Sequence, residues 1–264
     1  MKEVACCCLA AAFALCGRAE RIVLEQGDAR CVVETRGARV VSYSARGREM
    51  LWTPDSDPAG PADWKHGGIP LAWPWFGRLG DGDSHIHGYA WKSDFRVSAR
   101  TGNSVVMAME TECAALEHEV RLREGALTLE LRTRNKSMFA LPLSVAFHPY
   151  FRVGERDETT VEGFAAGLVQ VTNSVDRGVS FGAPSPRHEC VLHDNARHGS
   201  LRIISEGATG LNMWNPGPEK LCPGVIPGDE WRRFVAVEPL ARGTNRFLVL
   251  DPGESHVLRM TLTP

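Results

Sequence analysis

From residue 20 onward, apolar and polar side chains alternate in short runs, and Gly, Asn, Asp or Pro closes most of them. Residues 21–25, 29–35 and 38–44 form the first three runs, punctuated by Gly27-Asp28, Arg36-Gly37 and Gly47. Further runs occupy 95–99, 104–111, 117–122, 127–133, 143–147, 201–204, 234–237, 246–250 and 256–262. Successive side chains on a strand point to opposite faces, so a period of two with β-branched enrichment predicts half-buried strands. Arg123-Glu124-Gly125 lies between two such runs and predicts a hairpin turn. The body shows no helical pattern of useful length. Many short strands without intervening helices predict an all-β sandwich of antiparallel strands rather than an α/β fold. No internal repeat or linker interrupts the pattern, so one domain is expected over residues 20–264. Two stretches break the rhythm: 55–94 is rich in Gly, Pro and Trp, and 163–195 is mixed and polar. Long ordered loops on a β scaffold commonly carry binding groups.

Residues 1–19 stand apart. Val4 to Cys16 is an apolar run, short for a bilayer span and compatible with the central region of a secretory signal. Glu3 offsets Lys2, however, and no clean small-residue cleavage site follows. Both an exported protein with a leader and a cytoplasmic protein with a tail stay open. The chain as a whole, with 43 % hydrophobic and 23 % charged residues, is ordinary for a globular protein able to bury a sizeable core. A net charge of −2 gives no electrostatic footprint for nucleic acid or an anionic membrane. Cys31, Cys113, Cys190 and Cys222 are widely spaced and form no C-x-x-C pair, which argues against zinc. They are either disulfide partners, if the protein is exported, or buried thiols.

Several segments carry candidate chemistry. Gly67-Gly68-Ile69-Pro70-Leu71-Ala72-Trp73-Pro74-Trp75-Phe76-Gly77-Arg78 sets aromatic rings between glycines. Such rings stack on the C–H faces of sugars; the alternative is a hydrophobic plug closing one end of the sandwich. His85 and His87 are spaced to share one strand face, but no acidic or thiol ligand completes a metal set, so no metal is expected. In Phe147-His148-Pro149-Tyr150-Phe151, the imidazole ends an apolar strand. A partly desolvated, fixed His suits general acid work; a hydrogen-bonded core His is the alternative. Glu238 closes the apolar run 234–237, and a carboxylate there is costly to bury unless paired or used. Pro239 is expected to end the ladder and leave that carboxylate at the rim. Asp176 is either a ligand for sugar hydroxyls or a turn residue paired with Arg177.

Together these segments resemble the aldose 1-epimerase superfamily, and within it the hexose-6-phosphate mutarotase branch. Four motifs follow the family's order: 67–77, His87-Gly88-Tyr89-Ala90, 147–151 and Val237-Glu238-Pro239. Val175-Asp176-Arg177 and Met213-Trp214-Asn215-Pro216 match more weakly. The resemblance spans residues 21–262. It implies a β-supersandwich that interconverts sugar anomers, with Glu238 as general base, His148 as general acid, His87 as second site histidine and Asp176 binding hydroxyls. Arg78 falls where relatives place a substrate-binding basic group, and Trp75 and Trp91 are candidate sugar-stacking residues. The implied partner is a small sugar or sugar phosphate, without cofactor or nucleic acid, and a monomer is expected. The phosphosugar branch usually carries Arg where this chain has Trp91, followed by Lys92. Arg is the better phosphate partner, so the departure favours an unphosphorylated sugar. Pro149 also departs from that branch and restricts the backbone of His148. The competing readings are a silent saccharide-binding protein on the same scaffold and an unrelated β-sandwich.

Overall fold

Alternating burial along the strands builds the molecule, seen in a computed structural model that describes residues 19–54, 66–80, 86–165, 167–171, 175–181, 187–197, 199–218 and 226–264. The first half of the chain supplies β1 (Arg21–Gln26), β2 (Ala29–Glu34), β3 (Arg39–Ala45), β4 (Arg48–Glu49), β5 (Leu71–Ala72), β6 (Arg96–Arg100), β7 (Ser104–Glu110), β8 (Ala114–Arg123) and β9 (Ala126–Asn135). β10 (Leu141–Leu143), β11 (Val145–Phe147), β12 (Tyr150–Arg152), β13 (Thr159–Ala165), β14 (Gly167–Gln170), β15 (Val175–Ser180) and β16 (His188–Asp194) follow. The chain closes with β17 (Gly199–Glu206), β18 (Gly210–Asn215), β19 (Phe234–Ala241), β20 (Leu248–Leu250) and β21 (Ser255–Thr263). Helical structure among the described residues is limited to short 3-10 turns at Ala90–Lys92, Arg156–Glu158, Asn195–Arg197 and Glu230–Arg233.

The largest sheet runs β14-β13-β16-β17-β21-β9-β8-β7-β6. A second runs β15-β18-β19-β11-β5, with β12 also paired to β19. β1-β2-β3-β4 form a third sheet, and β10 pairs with β20. The strand ladders are antiparallel, as the all-β reading expects. On β8, Leu116, His118, Val120 and Leu122 point inward while their neighbours face out; Leu127, Leu129 and Leu131 on β9 and Leu258, Met260 and Leu262 on β21 extend the same face. β21 packs on β11 and β19 of the second sheet, and β8 on β1 and β2 of the third. The Trp73 indole N–H bridges the layers by donating to Thr133 Oγ1 at 3.2 Å. Each fully buried Leu or Met contributes about 1.5–3 kcal/mol.

Three expectations change. The stretch 163–195 is not simply a loop: it holds the end of β13 and all of β14, β15 and β16. β14 and β15 are edge strands exposed along much of their length, so they carry little hydrophobic alternation to read. The run 143–147 is interrupted at Ser144, whose N–H leaves the ladder and donates to Pro74 O at 2.9 Å. Pro239 does not end its strand: β19 continues through it to Ala241, opposite Leu211, and Glu238 lies within the sheet rather than at its rim. Cys31, Cys113 and Cys190 are free thiols, and burial pushes Cys190 up to about 12. Residues 1–18 of the leader candidate, His85 and Cys222 lie outside the described residues. No helix among the described residues is long and apolar enough to cross a membrane.

Candidate active site

Strand alternation decides which side chains share the outer face of the second sheet. Val235 and Val237 of β19 enter the core, so Ala236, Glu238 and Leu240 point the other way. Glu238 lies opposite Asn212 on β18, which lies opposite Gly178 on β15. The row on one side reads Asp176, Trp214, Ala236, Tyr150. On the other side it reads Ser180, Gly210, Leu240, Ala146, Ala72. Small residues there make room for large ones above: Trp91 packs on Ala72, Ala146 and Leu240, with Phe76 and Ile86 against it. At the opposite end Tyr150 joins Trp52, Phe234 and Trp231, with Trp214 alongside. A polar row therefore runs between two apolar walls.

His148 enters this row through a break in the ladder. β11 pairs with Leu240 and Ala241, and β12 pairs with Phe234, Val235 and Ala236, so the ladder skips Val237, Glu238 and Pro239 on that side. The skipped stretch is also where an inner strand tolerates Pro239, which has no N–H to give. The backbone of His148 fills the gap, its N–H donating to Pro70 O at 3.0 Å, and the Tyr150 N–H donates to Gly68 O at 2.9 Å. His148 Nε2 thus stands 3.5 Å from Glu238 Oε2.

Both groups are closed off, His148 being 4 % and Glu238 0 % exposed. Glu238 Oε1 accepts from Asn212 Nδ2 at 3.3 Å, and the same nitrogen donates to Asp176 Oδ1 at 3.3 Å. Among the described residues, Glu238 Oε2 accepts no hydrogen bond. Burial pushes the Glu238 carboxyl well above the ordinary carboxylate range; the Asn212 bond opposes this and the Asp176 charge adds to it. Burial likewise holds His148 well below the usual imidazole range, with His87 and His66 reinforcing the effect. Both shifts favour the uncharged forms, a neutral imidazole facing a protonated carboxyl.

His87 is not on a strand but in a turn, with φ of 60°. The Gly77 N–H donates to its Nδ1 at 3.2 Å, which places the ring proton on Nε2. Burial, then His66 and Arg78, lower His87 to about 3, so it is a neutral donor at physiological pH. Its ring meets His148 edge-on at 5.2 Å and Phe76 at 5.0 Å. Gly88 lets this turn lie against Trp73: at φ +72°, a Cβ there would fall 2.0 Å from Trp73 O.

The remaining expected residues are placed as follows. Asp176, on exposed edge strand β15, joins the pair through Asn212. Arg78 lies close enough to His87 to bias its charge, and Arg246 holds the same loop by donating to the Arg78 and Leu79 carbonyls. Trp91 is buried in the wall, its indole N–H donating to Gly88 O at 3.1 Å, with the Lys92 ammonium 5.6 Å from its ring centroid. Trp75, half-buried, meets Tyr89 edge-on at 6.0 Å, whereas Trp73 is core rather than platform. Asn215, in the weaker motif, is structural: its amide donates to Trp231 O and Phe234 O at 2.8 Å each. Among the described residues no group of three His, Cys, Asp or Glu could hold a metal ion.

Three site neighbours went unassigned from sequence. Asn212 carries no signal in the sequence, and cross-strand pairing alone sets it beside Glu238. Tyr150 stacks on His148 at 4.9 Å and 17°, and its hydroxyl lies 2.8 Å from His66 Nδ1. His66 follows the irregular, Gly- and Pro-rich stretch, where no periodicity assigns a direction; burial lowers it to about 4.

The family model for aldose 1-epimerase matches residues 20–263. A Salmonella typhimurium protein named as a putative glucose-6-phosphate 1-epimerase is 24 % identical over 242 residues, covering 82 % of this chain and 81 % of its own length. A similarly named protein of Cenchrus ciliaris is 27 % identical, with 92 % and 84 % covered. Among solved structures, a putative mutarotase from Salmonella typhimurium superposes with a TM-score of 0.79 at 21 % identity, covering 92 % of this chain and 90 % of the other. A Synechocystis protein gives a TM-score of 0.75 at 18 % identity, with 94 % and 96 % covered. Both share the fold, and the match over residues 20–263 makes the chain a member of the aldose 1-epimerase family.

Proposed function

We propose that the protein is a mutarotase that interconverts the α and β anomers of an aldohexose or hexose 6-phosphate. The observation that carries this is a buried carboxyl and a buried imidazole 3.5 Å apart. Mutarotation needs a base at the C1 hydroxyl and an acid at the ring oxygen. With the closed ring bound, Glu238 takes the hydroxyl proton as His148 gives its proton to the ring oxygen, and the C1–ring oxygen bond breaks. The open aldehyde then meets a protonated Glu238 and a neutral His148, the form that burial favours. Rotation about C1–C2 and reversal of both transfers close the ring on the other face. The proton count of the pair is restored, and no metal, nucleotide or covalent nucleophile is needed.

The other side chains supply binding. His87 Nε2–H donates to the sugar, and Asp176 accepts from its hydroxyls. Trp91 and Trp75 line the sugar's edge. Arg78 is the cation beside His87 that would meet a phosphate, whereas Trp91 offers none. The printed names of the relatives make glucose 6-phosphate one substrate to test. Polarimetry or anomeric NMR with glucose, galactose and glucose 6-phosphate decides the matter: at least one must equilibrate faster than in buffer. Sugar binding without acceleration of any of the three would leave a silent binding protein instead.

A further inference from the structure

Resting on that mutarotase reading, we propose that Asn212 is a positioning residue that aims the Glu238 carboxylate and links it to the substrate-facing carboxylate Asp176. Asn212 sits one strand away from Glu238 in direct register, and it is 8 % exposed. Its Nδ2 donates at 3.3 Å both to Glu238 Oε1 and to Asp176 Oδ1. Two carboxylates face one end of the amide, and only the NH2 end can donate to both. The other end has its own setting: Asn212 Oδ1 and Arg242 Nη2 lie 3.5 and 3.7 Å from where a Cβ on Gly178 would stand. The missing side chain of Gly178 thus leaves an opening shared by the amide oxygen and a guanidinium.

Holding Oε1 has a consequence for Oε2. With one oxygen tied to β18, the carboxylate plane is set and the free oxygen faces His148 Nε2. The amide also stands between two carboxylates that repel each other. The titratable groups around Glu238 are His148 from the β11–β12 break and Asp176 from β15, with His87 and His66 acting through His148. Asn212 is the neutral donor among them, and its bond favours the ionised base that ring opening requires.

Two substitutions test this. Asn212→Val removes the donor at similar volume; Asn212→Asp keeps the shape but swaps the donor for another carboxylate. The kcat should fall about 10-fold or more in Asn212→Val with a smaller change in KM, the size expected from a misaligned reacting group. The alkaline edge of the kcat/KM profile should move upward in Asn212→Val and further in Asn212→Asp. A residue that only fills space predicts the reverse order, with the isosteric Asp variant nearest to wild type, and that order would overturn the proposal. Independently of activity, the 13C carboxyl signal of Glu238 should titrate at higher pH in Asn212→Val than in wild type; an unmoved midpoint in a variant with a native melt also overturns it. A wild type that accelerates no sugar removes the mutarotase reading, while this titration still decides the place of Asn212.

Discussion

Glu238 and His148 each hold a charge-bearing group that is almost wholly buried, and the consequences can be measured one side chain at a time. Glu238→Gln and His148→Ala should each slow anomer interconversion by roughly 10²-fold or more, the size of a lost acid or base; polarimetry on the purified variants reads this, and near-wild-type rates would remove the assignment. Because burial lowers His148 and raises Glu238, the one-proton form of the pair spans a wide range. The acid edge of kcat/KM should therefore lie below the ordinary imidazole value of about 6.5. The Glu238 shift is also a stability statement. A carboxyl whose folded pKa is raised stabilises the fold only below the unfolded value of about 4.3, and that contribution is lost as pH rises towards the folded value. Denaturant titrations should show Glu238→Gln gaining on wild type from pH 5 to pH 8, and an equal difference at both would contradict the buried-acid picture. His148 and Glu238 stand out in the sequence as titratable residues beside apolar runs, while the roles expected of them come only with the family resemblance. Asn212 does not stand out, because its significance exists only across a strand pair.

At the scale of elements, the site depends on a turn and a gap. The His87 turn is pinned to the Trp73 segment by Tyr89 N–H donating to Trp73 O at 2.9 Å and Trp73 N–H donating to His87 O at 3.2 Å. Gly88→Ala places a methyl where a carbonyl stands, at a φ that disfavours any side chain. It should cost more than about 1 kcal/mol and depress activity through His87; a urea midpoint and rate equal to wild type would show the contact to be slack. Most long strands were legible, including the Glu124-Gly125 hairpin, where both residues have positive φ. The run into His148 was read as continuous because Ser144 and Pro149 do not reveal from composition where backbone bonds switch partner. Pro239 misled for a related reason: proline stops a ladder only where its N–H is wanted, and here the neighbouring strand has already turned away.

Across the whole molecule, β7, β8, β9 and β21 of the large sheet are read easily, whereas its inner strands β13 and β16 and the edge strands β14 and β15 are read poorly. β8 and β9 alternate cleanly because one face is core and the other solvent, whereas β14 and β15 have little buried surface to impose a pattern. Leu129, fully buried on β9, reports on the common core: Leu129→Ala should cost about 2–5 kcal/mol in denaturant melts while leaving the pH profile in place. A shifted profile would mean that the site and the core are not separable. The break opposite Val237, Glu238 and Pro239 sets how such a molecule can diverge. The surrounding rims can lengthen, shorten or change charge and so trade one sugar for another. A single codon inserted between those for Ala146 and Tyr150 would instead swing the imidazole off the carboxylate, so inheritance must keep that stretch at fixed length even while its letters drift.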